Sequence, residues 1–315
     1  MDFSGKQVAV IGYGKSGKAA LELLGKLGAK RILYDQKLDC NAPGIDAEVL
    51  VSGDFKEEGW DDVDCAVFSP GVPVFEKIGD FFRSKNIPII GEIELGYLVE
   101  KGSVMAITGT NGKTTTTTLV GEIMKAFNEK TFVVGNIGNP YTSEAAKTSE
   151  DSVTVAEISS FQLESTVSFC PKVSAILNIT PDHLDRHHTM EAYIRAKESI
   201  TKCQTKEDTC VLNYEDEILR KFAETLKVNV LFFSSKRPLE EGIYLQENTI
   251  WIAGKETERQ RLIDVGELKL LGIHNYENVM AASGTALCMG APIDVVQRVL
   301  KEFWGVKHRI EFVRD

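Results

Sequence analysis

The sequence has few cysteines, no long apolar run and no excess of positive charge. Its six cysteines are scattered without close pairs, which argues against both a zinc site and a disulfide framework. No apolar stretch approaches the roughly 20 residues that cross a membrane, so no membrane partner is expected. The net charge of −10 argues against nucleic acid, whose binding needs a basic face. These absences favour a cytoplasmic enzyme. Its 315 residues exceed what one core usually supports, which predicts two domains.

The most informative segment is 107–118, which reads Ile-Thr-Gly-Thr-Asn-Gly-Lys-Thr-Thr-Thr-Thr-Thr between an apolar strand and a helix. Its glycines let backbone N–H groups approach a phosphate, its lysine adds a cationic donor, and the next threonine offers a hydroxyl to Mg²⁺. A simple Gly/Asn turn before a Thr-rich helix is the alternative interpretation. The residues predicted to bind ATP here are Gly109, Thr110, Asn111, Gly112, Lys113, Thr114 and Thr115.

A second glycine-rich turn lies near the amino terminus, at Gly12, Gly14 and Gly17. It follows the predicted strand 7–11 and precedes the predicted helix 16–27, and Asp35 comes eighteen residues after Gly17. This spacing is the dinucleotide fingerprint, in which a helix N-terminus receives a pyrophosphate and a carboxylate binds a ribose hydroxyl. Taken alone it favours NAD, with a purely structural turn as the alternative.

Strands and helices alternate along the chain, which predicts an α/β protein with parallel sheets. A Rossmann-like parallel-sheet domain is expected at residues 1–93, and residues 91–103 are interpreted as a linker. A P-loop ATPase-type α/β domain is expected at residues 94–305, with a hairpin formed by residues 243–252.

Polar residues follow several predicted strands of the second domain, where ligands of open α/β sheets bind. Glu157 ends an apolar strand and is predicted to hold Mg²⁺, with an ion pair at the edge of the core as the alternative. Asp182 and His183 suit a metal or a phosphate, although Asp182 also suits a helix cap. Asn275 and Asn278 share a helix face and are predicted to contact adenine or ribose. The pair 187–188, both histidines, is interpreted as a solvated loop without a role.

At these residues the chain resembles the Mur ligases, which use ATP to form amide bonds in peptidoglycan precursors. The resemblance extends over essentially the whole chain. It rests on Thr-Gly-Thr-Asn-Gly-Lys-Thr at 108–114, Glu-x-Ser-Ser-Phe-Gln-Leu-Glu at 157–164, and the polar motifs at 178–185, 196–197 and 274–278. It implies a monomeric ligase that adds D-glutamate to UDP-N-acetylmuramoyl-L-alanine. Another Mur-type amide ligase, a catalytically silent nucleotide-binding module and an NAD-dependent oxidoreductase are the alternatives.

The resemblance reassigns the amino-terminal turn to the uridine diphosphate of the sugar substrate. Family members commonly have Thr-Arg where this chain has Gln36-Lys37, so these two contacts depart from the pattern. The implied substrate-binding residues are Gly14, Lys15, Ser16, Asp35, Gln36, Lys37, Ser69, Pro70, Gly71, Asn136, Ser159, Gln162 and His183.

The implied catalytic residues are Lys113, Glu157, His183 and Lys197. Thr114 and Glu157 would hold one Mg²⁺, while His183 and Lys197, the latter as a carbamate, would hold a second. Residues 306–315 resemble the opening of a truncated third domain, and Arg309 within them is implied to bind ATP. Because D-glutamate would bind mostly to that domain, residues 1–315 alone are expected to form no product.

Overall fold

The structure is a computed structural model that describes residues 1–40, 44–255 and 257–305. Arg309 and the segment 306–315 lie outside the described residues. The chain forms two compact units. The first unit contains Met1–Lys101, Val134–Ser149 and Ser159–Phe169, and the second contains Gly102–Val133, Glu150–Ile158 and the chain from Cys170 onward.

Strands and helices alternate through most of the described chain. The strands are β1 (Gln7–Ile11), β2 (Lys30–Asp35), β3 (Val49–Ser52), β4 (Cys65–Phe68), β5 (Ile89–Gly91), β6 (Ser103–Thr108), β7 (Thr131–Gly135), β8 (Val153–Glu157), β9 (Val173–Ile176), β10 (Thr209–Asn213), β11 (Asn229–Ser234), β12 (Gly242–Gln246), β13 (Thr249–Gly254) and β14 (Thr257–Asp264). The helices are α1 (Lys15–Lys26), α2 (Lys77–Ser84), α3 (Glu92–Val99), α4 (Lys113–Phe127), α5 (Tyr141–Glu144), α6 (Ser160–Leu163), α7 (Leu184–His187), α8 (Met190–Glu198), α9 (Glu217–Ala223), α10 (Ile273–Cys288) and α11 (Ile293–Glu302). Among the helices of residues 1–40, 44–255 and 257–305, none has the length and apolar character needed to cross a membrane.

The first unit is built on a five-stranded sheet in the order β3-β2-β1-β4-β5, and each neighbouring pair is parallel. Two separate apolar clusters pack on the two faces of this sheet. One lies around Val10 and Leu24, and the other lies around Phe68 and Phe82. The strand order reverses between β1 and β4, which is where open α/β sheets bind ligands. The expected Rossmann-like architecture is confirmed.

The second unit is built on a nine-stranded sheet in the order β14-β13-β12-β11-β10-β9-β6-β8-β7. Strand β6 lies parallel to β8 on one side and to β9 on the other, so the carboxyl ends of these three strands are adjacent. The predicted hairpin is confirmed as the antiparallel pair β12 and β13. Strand β14 extends this antiparallel edge and was not predicted, because its sequence Thr-Glu-Arg-Gln-Arg-Leu-Ile-Asp is largely polar.

The prediction of a linker at residues 91–103 is wrong, because this segment contains helix α3. Two glutamates in the helix are buried, and each has backbone partners within the first unit. The Glu94 carboxylate accepts N–H groups from residues 167, 168 and 169, and the Glu92 carboxylate accepts the N–H and hydroxyl of Thr142. Acidic residues usually mark an exposed segment, so their burial concealed the helix from the sequence pattern.

Candidate nucleotide-binding sites

The glycine-rich turn of the first unit lies between β1 and α1 and is closely packed. Gly12 has a φ of 94°, a conformation that favours glycine. A Cβ on Gly17 would lie 1.9 Å from the Gly12 carbonyl oxygen, so close packing of helix on strand requires glycine there. A Cβ on Gly14 would meet nothing within 4 Å, and no side chain caps α1 at this residue. The turn therefore leaves open space at the N-terminus of α1.

Asp35 stabilises this turn with both carboxylate oxygens. Its Oδ2 accepts the N–H of Tyr13 at 2.8 Å, and its Oδ1 accepts the N–H of Lys37 at 2.9 Å. The carboxylate thus joins the end of β2 to the turn after β1. Its structural role is compatible with ligand contact, because Asp35 is only partly buried.

A cavity of about 490 Å³ lies above the turn and collects most of the predicted sugar-nucleotide residues. It is lined by the segments that follow β1 and β4 and by the loop after β7, whose Gly138 oxygen accepts the Lys15 ammonium at 2.5 Å. Its lining includes Gly14, Lys15, Ser16, Asp35, Ser69, Pro70, Gly71, Asn136 and Gln162.

Three predicted sugar-nucleotide residues of the first unit are not part of that lining. Gln36 is exposed and its amide donates to Asp54 Oδ1 at 3.3 Å, while Lys37 is also exposed. Ser159 caps α6, where its N–H and hydroxyl both donate to Gln162 Oε1. Ser159 therefore orients Gln162, which does line the cavity.

The phosphate loop of the second unit joins β6 to α4. Gly112 has a φ of 84°, and a Cβ there would lie 2.2 Å from Asn278 Oδ1. Asn278 is buried and accepts the Thr116 hydroxyl at 3.3 Å. It packs behind the loop, whereas Asn275 donates its amide to the Leu271 oxygen at 2.8 Å. Thr114 and Thr115 are partly exposed in the first turn of α4.

Two lysines converge on one carbonyl of this loop. Lys113 Nζ donates to the Gly109 and Thr110 oxygens, each at 2.9 Å, and Lys197 Nζ donates to the same Gly109 oxygen at 2.8 Å. Lys197 is 1% exposed. Burial, reinforced by the charge of Lys113 and opposed by Asp182, lowers the pKa of Lys197 from 10.5 to about 7. A substantial fraction of the Lys197 amine is therefore neutral near pH 7.

Glu157 lies beside the strand that leads into the phosphate loop. It is the last residue of β8, is 1% exposed, and pairs in register with Ile107 of β6. Within the described ranges, no group of three or more His, Cys, Asp or Glu side chains converges as a preformed metal cage. Mg²⁺ commonly binds through one or two carboxylates together with water and substrate phosphates, so a single buried glutamate suits it.

Segment 178–180 braces the phosphate loop, a role that the sequence analysis did not assign. Asn178 Oδ1 accepts the Asn111 N–H at 2.8 Å, and its amide donates to the Asn111 oxygen at 3.1 Å. The Asn178 oxygen also accepts the Thr110 N–H at 2.9 Å. An asparagine two residues after an apolar strand was the available signal for this role.

His183, which precedes α7, and His187, its last residue, differ sharply in environment. His183, in the left-handed region with a φ of 51°, is half-exposed and lies 3.5 Å from Asp182. His187, interpreted from sequence as solvated, is instead 6% exposed and packs on the Tyr193 ring at a centroid distance of 5.2 Å. Burial, followed by the charge of Arg186, lowers the pKa of His187. The polar sequence around His187 carries no sign of this burial.

A parallel-sheet unit of dinucleotide-binding type and a phosphate-loop unit together define a nucleotide-dependent α/β enzyme. Residues 107–286 match the family model described as the Mur ligase middle domain. The chain is 53% identical to UDP-N-acetylmuramoylalanine–D-glutamate ligase of Lachnoclostridium phytofermentans, over 99% of this chain and 70% of that protein. It is 44% identical to the protein of the same name from Clostridioides difficile, over 100% of this chain and 71% of that protein. The chain belongs to the Mur ligase family.

Solved structures of Mur ligases share the fold at lower identity. UDP-N-acetylmuramate:L-alanyl-γ-D-glutamyl-meso-diaminopimelate ligase from Neisseria meningitides superposes with a TM-score of 0.64 at 17% identity, over 97% of this chain and 100% of that chain. UDP-N-acetylmuramate–alanine ligase from Thermotoga maritima gives 0.55 at 21% identity, over 95% of this chain and 69% of that chain. At these identities the likeness concerns the fold alone.

Proposed function

We propose that this chain provides the sugar-nucleotide and ATP sites for the ATP-dependent addition of D-glutamate to UDP-N-acetylmuramoyl-L-alanine, a cytoplasmic step of peptidoglycan precursor synthesis. The observation that carries the proposal is the set of groups around the phosphate loop. Lys113 lies in the loop, Glu157 at the end of the neighbouring strand, and the buried Lys197 on the loop carbonyl. The name shared by the relatives at 53% and 44% identity supports the choice of substrates.

The reaction joins a carboxylate to an amine with ATP as the driving reactant. A carboxylate oxygen of the alanyl group attacks the γ-phosphorus of ATP, the bond to the bridging oxygen breaks, and ADP leaves. The D-glutamate amine then attacks the acyl carbon, loses a proton, and inorganic phosphate leaves as the amide forms. Phosphoryl transfer asks the protein mainly for positioning and for neutralisation of negative charge.

The phosphate loop would provide that neutralisation. Backbone N–H groups of residues 109–115 would cradle the ATP phosphates, and Lys113 would exchange its loop carbonyls for phosphate oxygens. Mur ligases use ATP and Mg²⁺, and the ion, when bound, polarises the phosphate oxygens. Thr114 and Glu157 would hold it. Asn275 and Asn278 are proposed near the adenosine part of ATP.

Lys197 is proposed to hold a second Mg²⁺ with His183 after modification by CO₂. Its neutral amine, available because burial lowers its pKa to about 7, would attack the carbon of CO₂ and release one proton. The product carbamate has anionic oxygen donors, which an ammonium lacks, and it keeps one N–H for the Gly109 oxygen. The buried position and single carbonyl partner thus fit the modification.

Incubation with ¹³CO₂ followed by ¹³C NMR tests this modification. A carbamate resonance that disappears in Lys197→Met is the expected result. An identical resonance in the variant would place the carbamate elsewhere, and a native chain without one would contradict the modification. Lys125→Met, which removes an exposed lysine, is the matched control.

The first unit is proposed to bind the uridine diphosphate of the sugar substrate. Its cavity of about 490 Å³ lies within the usual range for small-ligand sites, and it opens at the N-terminus of α1, where backbone N–H groups favour anions. Lys15 adds a positive charge at the same end. Gln36 and Lys37 are proposed to reach the ligand from their exposed positions.

Calorimetry with separate ligands tests the assignment of the first unit. UDP-N-acetylmuramoyl-L-alanine should bind to the 315-residue chain, and NADH should bind more weakly or not at all. Asp35→Ala should weaken binding of the UDP-sugar without changing that of Mg·ATP, and Lys113→Ala should do the reverse. Tighter binding of NADH than of the UDP-sugar would contradict the proposal and favour an oxidoreductase.

A further inference from the structure

Tyr193 of α8 is a buried tyrosine with three contacts around the phosphate loop. It is 1% exposed, and its hydroxyl lies 3.0 Å from the Thr110 hydroxyl. Its ring lies beneath Lys197, with Nζ 4.7 Å from the ring centroid, and His187 packs on the same ring. One side chain thus touches both the loop and the lysine proposed to carry the carbamate.

The direction of the hydroxyl bond follows from the partners of Thr110. Thr110 Oγ1 donates its only proton to the Thr180 oxygen at 3.1 Å and accepts the Thr180 N–H at 3.0 Å. A hydroxyl has one proton and two acceptor positions, so Tyr193 must be the donor in the remaining bond. With that bond, every hydrogen-bonding position of the Thr110 hydroxyl is used.

Tyr193, Lys197 and the phosphate loop are all in contact with one another. Tyr193 donates to Thr110, the adjacent Gly109 accepts Lys197 Nζ, and that Nζ lies against the Tyr193 ring. The ring face lies beside Lys197 Nζ and occupies that space whatever the charge of the side chain, so the ring restricts where Nζ can lie. Packing of His187 against the ring limits its rotation in turn.

We infer that Tyr193 is a positioning residue of the ATP site, whose hydroxyl fixes Thr110 and whose ring fixes Lys197 relative to the phosphate loop. The inference rests on the proposed function, since it assigns a task within the same site. It predicts that the hydroxyl and the ring can be separated by mutation.

Tyr193→Phe keeps the ring and leaves the buried Thr110 hydroxyl with the Thr180 N–H but without its second donor. The Kd for Mg·ATP should rise roughly fivefold, because one neutral hydrogen bond that orders the loop is lost. Tyr193→Leu also removes the ring, so Lys197 keeps its bond to Gly109 but loses the aromatic face beside its Nζ. This variant should in addition need roughly threefold more Mg²⁺ for half-maximal ATP binding, because the ring no longer limits where the Lys197 nitrogen can lie.

Tyr141→Phe is the matched control, because Tyr141 is also fully buried and donates its hydroxyl to Glu100 in the first unit at 2.9 Å. All variants are compared by calorimetry at fixed and varied Mg²⁺, with thermal unfolding as the check on folding. Only the Tyr193 variants should change ATP binding. A purely structural tyrosine would leave ATP binding alike in both Phe variants.

Three results would overturn the inference in distinguishable ways. A Tyr193→Phe chain that binds Mg·ATP as tightly as the native chain would remove the hydroxyl's role. Equal Mg²⁺ requirements in the Phe and Leu variants would remove the ring's role. A native chain that binds no Mg·ATP would overturn the proposed function, and this inference with it.

Discussion

Burial of the Lys197 amine should make the stability of this protein depend on pH in a way that one substitution removes. The pKa of Lys197 is about 7 in the folded chain, against 10.5 for an ordinary lysine. Below pH 7 both folded and unfolded chains bind the proton, and the folded chain bears the full cost of a buried charge. Between pH 7 and 10.5 the unfolded chain binds more protons than the folded one, so stability rises with pH.

The magnitude follows from the size of the pKa difference. A single proton changes the free energy of unfolding by up to about 1.4 kcal/mol per pH unit. Lys197 is half-protonated in the folded chain at pH 7, so its contribution should increase by about 2 kcal/mol between pH 7 and pH 9. Lys197→Met loses the Gly109 hydrogen bond at every pH, but it has no proton to lose.

Urea unfolding of both proteins at pH 7, 8 and 9, in buffers freed of CO₂, measures this effect. The native chain should gain stability relative to Lys197→Met by about 2 kcal/mol over that range. Lys125→Met, at an exposed lysine paired with Glu122, controls for loss of a lysine as such. Parallel pH curves for the native chain and Lys197→Met would refute the reasoning, because Lys197 would then keep an ordinary pKa when folded.

Three glycine substitutions give further predictions. Gly14→Ala should weaken binding of the UDP-sugar while leaving the melting temperature nearly unchanged, because its Cβ would project into the cavity and meet no other atom within 4 Å. A melting temperature that falls together with binding would show that the added methyl group disturbs the fold and not a ligand site. Gly17→Ala should instead lower the melting temperature, since its Cβ would lie 1.9 Å from the Gly12 oxygen, at a cost of about 1–3 kcal/mol in free energy of unfolding. Gly112→Ala should abolish Mg·ATP binding measured by calorimetry, because its Cβ would strike Asn278 and φ is 84°; retained binding would contradict the loop assignment.

The sequence was most informative where backbone geometry restricts the residue type. Gly12, Gly17 and Gly112 identified both nucleotide turns, since positive φ or close packing admits only glycine at each. The alternation of strands and helices likewise predicted the parallel sheet of the first unit and the parallel part of the second, whose β13 pairs antiparallel with β12 and β14. These signals are local, so they can be recognised without knowing which distant residues are in contact in the fold.

Features that depend on distant partners were not predictable in the same way. Helix α3 was read as a linker because Glu92 and Glu94 look exposed, while their partners lie about 50 and 73 to 75 residues later. His187 was read as solvated because nothing in its neighbourhood indicates the ring of Tyr193. The roles of individual site residues stay predictions until ligand binding is measured.

The first unit is made of segments that are not contiguous in the sequence, and this determines where the chain can be truncated. Segments Val134–Ser149 and Ser159–Phe169 belong to it, although they follow the phosphate loop in the chain. A fragment ending at Lys101 would leave the Glu94 carboxylate without the three amides that accommodate it and would remove Asn136 and Gln162 from the cavity wall. Expression of residues 1–101 is therefore expected to give an incompletely folded piece. A stable version of the first unit therefore has to retain these two later segments.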